Sequence, residues 1–385
     1  MIADALLGFA CAMALAHVLT CLVVARRKNR VDPPAARDAF VTVLRPVCGL
    51  DPLEVRTLAT TFRLDWPRHE VVFCATHEAD PAVALLRDLI ARHPQVDARL
   101  LIGDEALSGN PKLNNLAKGW RAAAGGRVVM ADSNLLLPPD YLDRLLSRDA
   151  PDVGLITSPP IATEAEGLWG EVEAAFLNGN QARLQLFADE VGHGFAQGKS
   201  LMWSRAFLEA KGGLPALGMN LAEDVAATRI VRGAGRRVRL ATLPFAQPIG
   251  RRAAGAVWAR QLRWSRVRRD GFAGLFLTEP LNGAALPLLA CGLGGGIGAA
   301  AMLALVFYGS EILLCRWMGW PVRPLSLPAM LLRDALIPVL WLATFRHRGI
   351  VWRGTAMAPV ATGPDRASGP MPGAGADAGA SPALR

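Results

Sequence analysis

Ala5 to Ala25 carries no formal charge, and Arg26, Arg27, Lys28 and Arg30 follow it at once. This run restricts the chain more than any other segment, because about 20 apolar helical residues suffice to cross a bilayer core of about 30 Å. A secretory signal would place its positive charge before the run and a small-residue cleavage site after it. A helix buried in a protein core is the other reading of such a run. The basic flank, by the positive-inside rule, leaves the N-terminus outside and starts the chain from about residue 26 in the cytoplasm.

Two more apolar segments lie near the C-terminus. Leu281 to Ser310 is uncharged and holds Gly292, Gly294, Gly295, Gly296 and Gly298, a spacing that lets another helix approach closely. It is expected to leave the cytoplasm. About Leu325 to Phe345 is expected to return, with Arg346, His347, Arg348 and Arg353 behind it. Arg333 and Asp334 are too costly to face lipid, so they are expected to face protein, a head group or each other. The tail after about Gly354, rich in Ala, Gly and Pro, reads as disordered. The expected units are a transmembrane helix at 1–25, a cytosolic domain at 26–280, two transmembrane helices at 281–345 and a cytosolic tail at 346–385. A hydrophobic share of 52% agrees with a membrane contribution. The net charge of +9 sits beside apolar runs, where anionic head groups account for it, and no nucleic-acid motif accompanies it. The six cysteines form no CxxC pair, so neither a disulfide framework nor a zinc site is indicated.

Between the apolar segments, strand-like runs alternate with helical patterns, as in an α/β domain. Phe40 to Leu44, Glu70 to Cys74, Ala98 to Ile102 and Arg127 to Ala131 read as strands, each ending in polar or turn chemistry. Ligands of open α/β sheets bind beyond the carboxyl ends of the strands. Asp80, Lys112 and Asp132 fall there. With no GxGxxG or Walker motif, dinucleotide or ATP use is disfavoured.

Several polar residues have an ordinary structural reading. Asp80 before Pro81 suits a helix cap, Asn110-Pro111 a Pro-initiated helix, and Glu223-Asp224 an acidic first turn. Arg260, Arg263 and Trp264, three and four apart, share one helical face. With Val257, Trp258, Leu262, Arg266, Arg268 and Arg269 they also suit a helix lying in the membrane interface.

Taken in order, however, Asp80, Asp132, Asp224 and Arg260-Gln-Leu-Arg263-Trp264 resemble the D, D, D, (Q/R)xxRW signature of family 2-type inverting glycosyltransferases with a GT-A fold. The words His77-Glu-Ala-Asp80-Pro, Val96-Asp-Ala-Arg-Leu, Asn110-Pro-Lys-Leu-Asn-Asn-Leu116, Ala131-Asp132-Ser133 and Ala222-Glu-Asp224 are similar to the ceramide glucosyltransferases, family 21, and their bacterial relatives. The resemblance covers roughly residues 40 to 280. It implies an α/β GT-A nucleotide-diphospho-sugar transferase domain with transmembrane helices at both ends.

The resemblance also implies roles. Asp80 would accept from a uracil N–H. Lys112 would neutralise donor phosphate while Asn114 or Asn115 hydrogen-bonds the donor. Asp132 would help to hold Mg²⁺ or Mn²⁺ on the diphosphate; many relatives write DxD there, whereas this chain has the neutral Asn134 in third place. Asp224 would be the base that takes the acceptor hydroxyl's proton. Arg260 and Arg263 would stabilise the departing diphosphate, and Trp264 would form a platform beside the acceptor. His193, in His193-Gly-Phe-Ala-Gln-Gly-Lys199, falls where the family has a strand near the acceptor, although a lone histidine is more often structural.

The implied activity is transfer of glucose from UDP-glucose to ceramide at the cytosolic face of a bacterial inner membrane. Two alternatives stay open: transfer of N-acetylglucosamine from its UDP-sugar to a hopanoid polyol, and a non-catalytic membrane binder of nucleotide sugars. Processive polysaccharide synthases share the signature but usually need more spans to form a channel.

Overall fold

The computed structural model describes residues 1–220 and 222–346 in full, together with the backbone of 350–352 and 355–357. The basic residues His347, Arg348 and Arg353 and the tail from 358 onward lie outside the fully described residues.

The central sheet takes seven strands in the order β3-β2-β1-β4-β7-β5-β8: β1 Val41–Pro46, β2 His69–Ala75, β3 Ala98–Ile102, β4 Arg127–Ala131, β5 Val153–Thr157, β7 Ser200–Ser204 and β8 Arg237–Leu240. β1 to β4 are mutually parallel along the sheet, while β7 runs antiparallel between β4 and β5. β6 Pro160–Glu166 and β9 Phe245–Arg251 form a separate parallel pair. The strands are apolar because both faces are covered. Val41, Val43, Val71, Phe73 and Val129 pack on one side with Leu86 and Leu142, and Leu44, Val72, Val128 and Met130 pack on the other with Leu116, Trp120 and Ala227. The four expected strands form within two residues of where the sequence placed them. Chain order reverses across β1 and β4, so their carboxyl ends border the switch-point crevice in which α/β sheets bind ligands.

Among the described residues, three helices are long and apolar enough to cross a membrane: Ile2–Ala25 with its basic extension, Ala285–Met318 and Ser326–Thr344. The second departs from the single crossing expected of it. Gly296 has φ +79° and breaks the helix. A Cβ on Gly292 would lie 3.7 Å from the Cβ of Ala300, whereas residues eight apart on a straight helix are separated by about 12 Å. The chain therefore turns back at Gly296 into a helical hairpin, and Gly294 and Gly295 give its tip room to pack on Ala3, Leu6 and Leu7 of the first helix. The first helix runs beside the second arm of this hairpin, and Trp317 Nε1 donates to the Ala25 carbonyl at 3.0 Å.

The basic flank also makes buried contacts. Arg27 is buried, donating to Asp189 Oδ2 at 2.9 Å and to the Thr242 and Ala241 carbonyls at 3.0 and 2.8 Å, while Arg30 grips both oxygens of Glu190. These contacts dock the first helix on the α/β domain.

The third helix differs from a crossing that leaves the domain behind. Near its start, Ser326 Oγ donates to Glu171 Oε2 at 3.0 Å; at its end, Thr344 Oγ1 donates to Ser265 Oγ at 3.0 Å and Arg269 reaches the Thr344 carbonyl at 2.7 Å. Both ends being tied to the domain, the helix lies along it, with Leu327, Leu331, Val339 and Leu342 exposed. Its buried face carries the expected charged pair. Arg333 donates to Asp334 Oδ1 at 2.8 Å and, bidentately, to Glu311 of the hairpin at 2.6 and 3.0 Å. A π-helical turn, Phe176–Ala182, passes against this pair, and a Cβ on Gly179 would meet Glu311 Oε1 at 1.7 Å.

Candidate active site

Strand register assembles the polar cluster at the β1–β4 crevice. Asp132 follows β4 directly, and Lys199 precedes β7; the antiparallel pairing of these strands brings them face to face, with the Asp132 N–H on the Lys199 carbonyl at 3.0 Å. Lys199 Nζ then donates to Asp132 Oδ2 at 2.8 Å and to Asn134 Oδ1 at 3.1 Å. Lys112 enters from helix Pro111–Ala122 and pairs with the other oxygen of Asp132 at 2.7 Å, with Glu223 Oε1 at 2.8 Å and with the Gly198 carbonyl at 2.6 Å. Burial works against ionisation of Asp132, but the two ammonium groups outweigh it and hold the carboxyl well below the usual range. For Lys112, burial is again outweighed, by Asp132 and Glu223, and its pKa lies above the ordinary lysine value.

Asp224 sits in the first turn of helix Glu223–Gly233, where its Oδ1 accepts from the Val225 N–H at 2.9 Å. Burial, reinforced by the neighbouring Glu223 carboxylate, raises its pKa to about 6. That is the range of a carboxylate acting as a general base near neutrality. Gly198 allows the close approach: a Cβ there would meet Glu223 Oε1 at 2.8 Å and lie 3.7 Å from Asp224 Oδ2.

The backbone around Asp132 is held from below by Arg45 at the end of β1. Fully buried, it donates to the Asp132, Ser133 and Leu135 carbonyls at 2.8, 3.0 and 3.1 Å. Burial lowers its pKa to about 10, so it stays charged at neutral pH.

Other expected residues fall less simply. Asp80 caps helix Pro81–Arg92, with Oδ1 on the Ala82 N–H at 2.9 Å and Oδ2 on the Gly49 N–H at 2.8 Å. It thereby pins the loop after β1 at the crevice, and each carboxylate oxygen keeps a second lone pair. Asn115 corrects the expectation of a donor contact. It is buried, its amide nitrogen donates to the Val47 and Cys74 carbonyls beyond β1 and in β2 at 3.0 and 2.9 Å, and its oxygen accepts from Lys118. Asn114 likewise spends its side chain on Leu107 and Ser108. His193 is exposed, and its carbonyl accepts from Arg232 at 3.0 Å. Arg232 lies eight residues along the helix from Asp224, about 12 Å away, so His193 belongs to the far end of that helix.

Arg260, Arg263 and Trp264 lie on helix Ala254–Gly271, which packs beside helix Gly167–Ala175. Arg260 donates to the fully buried Glu173 Oε1 at 2.6 Å, and Trp264 packs on Ala162, Ala165, Ala174, Leu177 and Ile249. Arg260 is near enough to the crevice to act on Lys199, whose pKa burial lowers first and Arg260 lowers further, against the pull of Asp132. On the same helix, Val257, Trp258 and Gln261 line an apolar cavity of about 230 Å³ together with Trp169, Phe176, Leu336 and Leu340.

A divalent cation at Asp132 would find one carboxylate and one amide oxygen, that of Asn134, which is fewer than Mg²⁺ or Mn²⁺ requires. Among the described residues no group of three or more His, Cys, Asp or Glu is placed to hold a metal. The donor set therefore fits an ion that draws most of its ligands from a diphosphate and water.

Glu223, Lys199, Glu173 and Arg45 carry much of this arrangement and had no assigned role on sequence grounds. Only the β4–β7 register shows which carboxylate Lys199 meets.

The family model described as glycosyl transferase family 21 matches residues 6–364. Ceramide glucosyltransferase 1 of Caenorhabditis elegans is 27% identical over 277 residues, covering 71% of this chain and 59% of that protein. The ceramide glucosyltransferase of Komagataella phaffii is 37% identical over 123 residues, covering 31% of this chain and 24% of the relative. The chain thus spans less than two thirds of the length of these relatives. Among solved structures, the mannosyltransferase PcManGT from Pyrobaculum calidifontis, in complex with GDP-Man and Mn²⁺, superposes with a TM-score of 0.50 at 18% identity, covering 89% of this chain and 99% of that one. This likeness shows the GT-A fold.

Proposed function

The chain belongs to glycosyl transferase family 21, and from that premise we propose that it is a membrane-bound inverting transferase that moves glucose from UDP-glucose to the primary hydroxyl of ceramide. The observation that carries this reading is the juxtaposition, at one crevice, of a carboxylate whose pKa is raised to about 6 and a buried cluster of two lysines on Asp132.

In this mechanism Asp224 accepts the acceptor hydroxyl's proton as that oxygen attacks the anomeric carbon, so no covalent sugar intermediate is needed. Lys112 and Arg260 offset the charge that develops on the leaving diphosphate, with Arg263 one turn from Arg260 on the same helix. Asp80 presents a lone pair to the uracil N–H. Asp132, with Asn134, would hold Mg²⁺ or Mn²⁺ brought by the donor, which would supply further positive charge to the diphosphate oxygens. Trp264 shapes the acceptor side. The cavity between Trp169, Trp258, Leu336 and Leu340 supports a lipid acceptor, since its walls are apolar and it opens beside the same helix.

The same reading puts the protein at the cytosolic face of a bacterial inner membrane. The first helix would enter the bilayer, the hairpin would dip in and return at Gly296, and the helix Ser326–Thr344 would lie in the interface with its exposed leucines in lipid.

Lipid mass spectrometry of cells supplied with ceramide, expressing wild type or Asp224→Asn, tests the proposal. A hexosylceramide formed only by the wild type is expected. An N-acetylhexosamine on a hopanoid polyol instead would overturn the donor and acceptor and keep the reaction class. Binding of UDP with neither hydrolysis nor transfer to any lipid would make the chain a nucleotide-sugar binder.

A further inference from the structure

Lys199 occupies the position a cation would take between the two side-chain oxygens of the Asp132-Ser-Asn134 word, at 2.8 Å from Asp132 Oδ2 and 3.1 Å from Asn134 Oδ1. An ammonium has three N–H donors. Two are used in these contacts, which leaves one uncommitted among the described residues. The other oxygen of Asp132 belongs to Lys112. The only carboxylate in this word is therefore bracketed by two buried positive charges.

Both lysines are anchored. The backbone of Lys199 is clamped to β4 through the Asp132 N–H and to Gln197, whose Oε1 accepts the Lys199 N–H at 2.9 Å. Lys112 is fixed by three acceptors at once. Arg260 adds a third positive charge near Lys199. Arg260 is itself paired with Glu173, so the positive charge offered to an anion here is that of the two ammonium groups on Asp132. A divalent ion that binds Asp132 and Asn134 must first displace the ammonium from the same two oxygens.

We propose that Lys199 is a built-in counter-ion for the donor's diphosphate, so that the nucleotide diphosphate binds here without a divalent metal and any metal competes with Lys199 for Asp132 and Asn134. This rests on the crevice being the donor site. Lys199 acts as a binding residue through its ammonium, and the charge it supplies is part of the chain, whereas that of a metal depends on its concentration.

The test is calorimetric titration of the full-length, detergent-solubilised protein with UDP and with uridine, in EDTA and in Mn²⁺, for wild type, Lys199→Met and Lys199→Arg. Melting curves establish that each variant is folded. The wild type is expected to bind UDP in EDTA within about threefold of its affinity in Mn²⁺. Lys199→Met is expected to lose about tenfold or more in EDTA, as for loss of a charge-assisted contact, to recover in Mn²⁺ and to bind uridine like the wild type; Lys199→Arg is expected to retain metal-free binding. The inference is overturned if wild type in EDTA binds UDP no better than uridine, or if folded Lys199→Met binds UDP as tightly as wild type there. If the chain binds GDP and not UDP, with the same dependence on Lys199, the uracil reading falls and the counter-ion stands. Failure to bind any nucleoside diphosphate under either condition overturns both.

Discussion

Arg260 donates to Glu173 Oε1 at 2.6 Å, and Glu173 is fully buried. The carboxylate also accepts from Gln261 at 3.5 Å, so one buried acid orients two consecutive residues of the R-x-x-R-W word. Removing one partner of a buried ion pair leaves the other charge unpaired, at a cost of about 3–5 kcal/mol. Glu173→Ala is therefore expected to destabilise the protein and to lower turnover through loss of Arg260 positioning. Glu173→Gln should fold better and still lose turnover. Melting temperature and steady-state kinetics measured together check this, and a Glu173→Gln variant with unchanged turnover would refute the positioning role.

Asp224 is expected to set the acidic limb of the pH profile. Its carboxylate form is the base, and with its pKa raised to about 6, turnover should rise with pH through about 6 and level off above it. The stability effect has the opposite sense. A carboxyl that holds its proton more tightly in the fold than in the unfolded chain favours the fold at low pH, and this contribution is lost as pH rises through about 6. Asp224→Asn should accordingly melt no lower than wild type at neutral pH while losing about 10²-fold or more in turnover. Near-normal turnover would remove Asp224 from the mechanism.

Filling the apolar cavity separates acceptor from donor. Leu336→Trp places a larger side chain among Trp169, Phe176 and Trp258. The expected outcome is a raised KM for the lipid acceptor with UDP affinity unchanged. An equal loss of UDP affinity would show that the substitution disturbs the whole site and not the acceptor side alone.

Gly179→Ala is expected to be severely destabilising. A Cβ there would lie 1.7 Å from Glu311 Oε1 and 2.5 Å from Arg333 Nη1, so the ion pair that joins the hairpin to the third apolar helix must open. Separating such a buried pair costs about 3–5 kcal/mol, which thermal unfolding in detergent would register. A second change, Gly296→Ala, tests the hairpin: the positive φ of this residue disfavours any side chain, so loss of stability is expected there, although a Cβ would meet no atom within 4 Å.

Much of the architecture was readable from residue order because it rests on short-range physics. The β-branched and apolar runs of β1 to β4 had to be strands covered on both faces, and Asp80, Asn110 and Asp224 stand at helix starts where local hydrogen bonding favours them. The charge-free run before Arg26 had to be a helix away from water. Composition could not reveal that the glycines around Gly296 fold one apolar segment into a hairpin, since a straight span and a hairpin bury the same residues.

The site divides in the same way. The sequence by itself determined which carboxylates stand at strand and helix ends, because these positions follow from local backbone geometry, and the order of its words carried the resemblance to the family. Only the tertiary structure decided that Lys199 meets Asp132, that Glu173 holds Arg260, and that the Asn115 amide nitrogen is spent on Val47 and Cys74. Those pairings join segments tens of residues apart, and sheet register and helix packing, which sum over the whole core, set them.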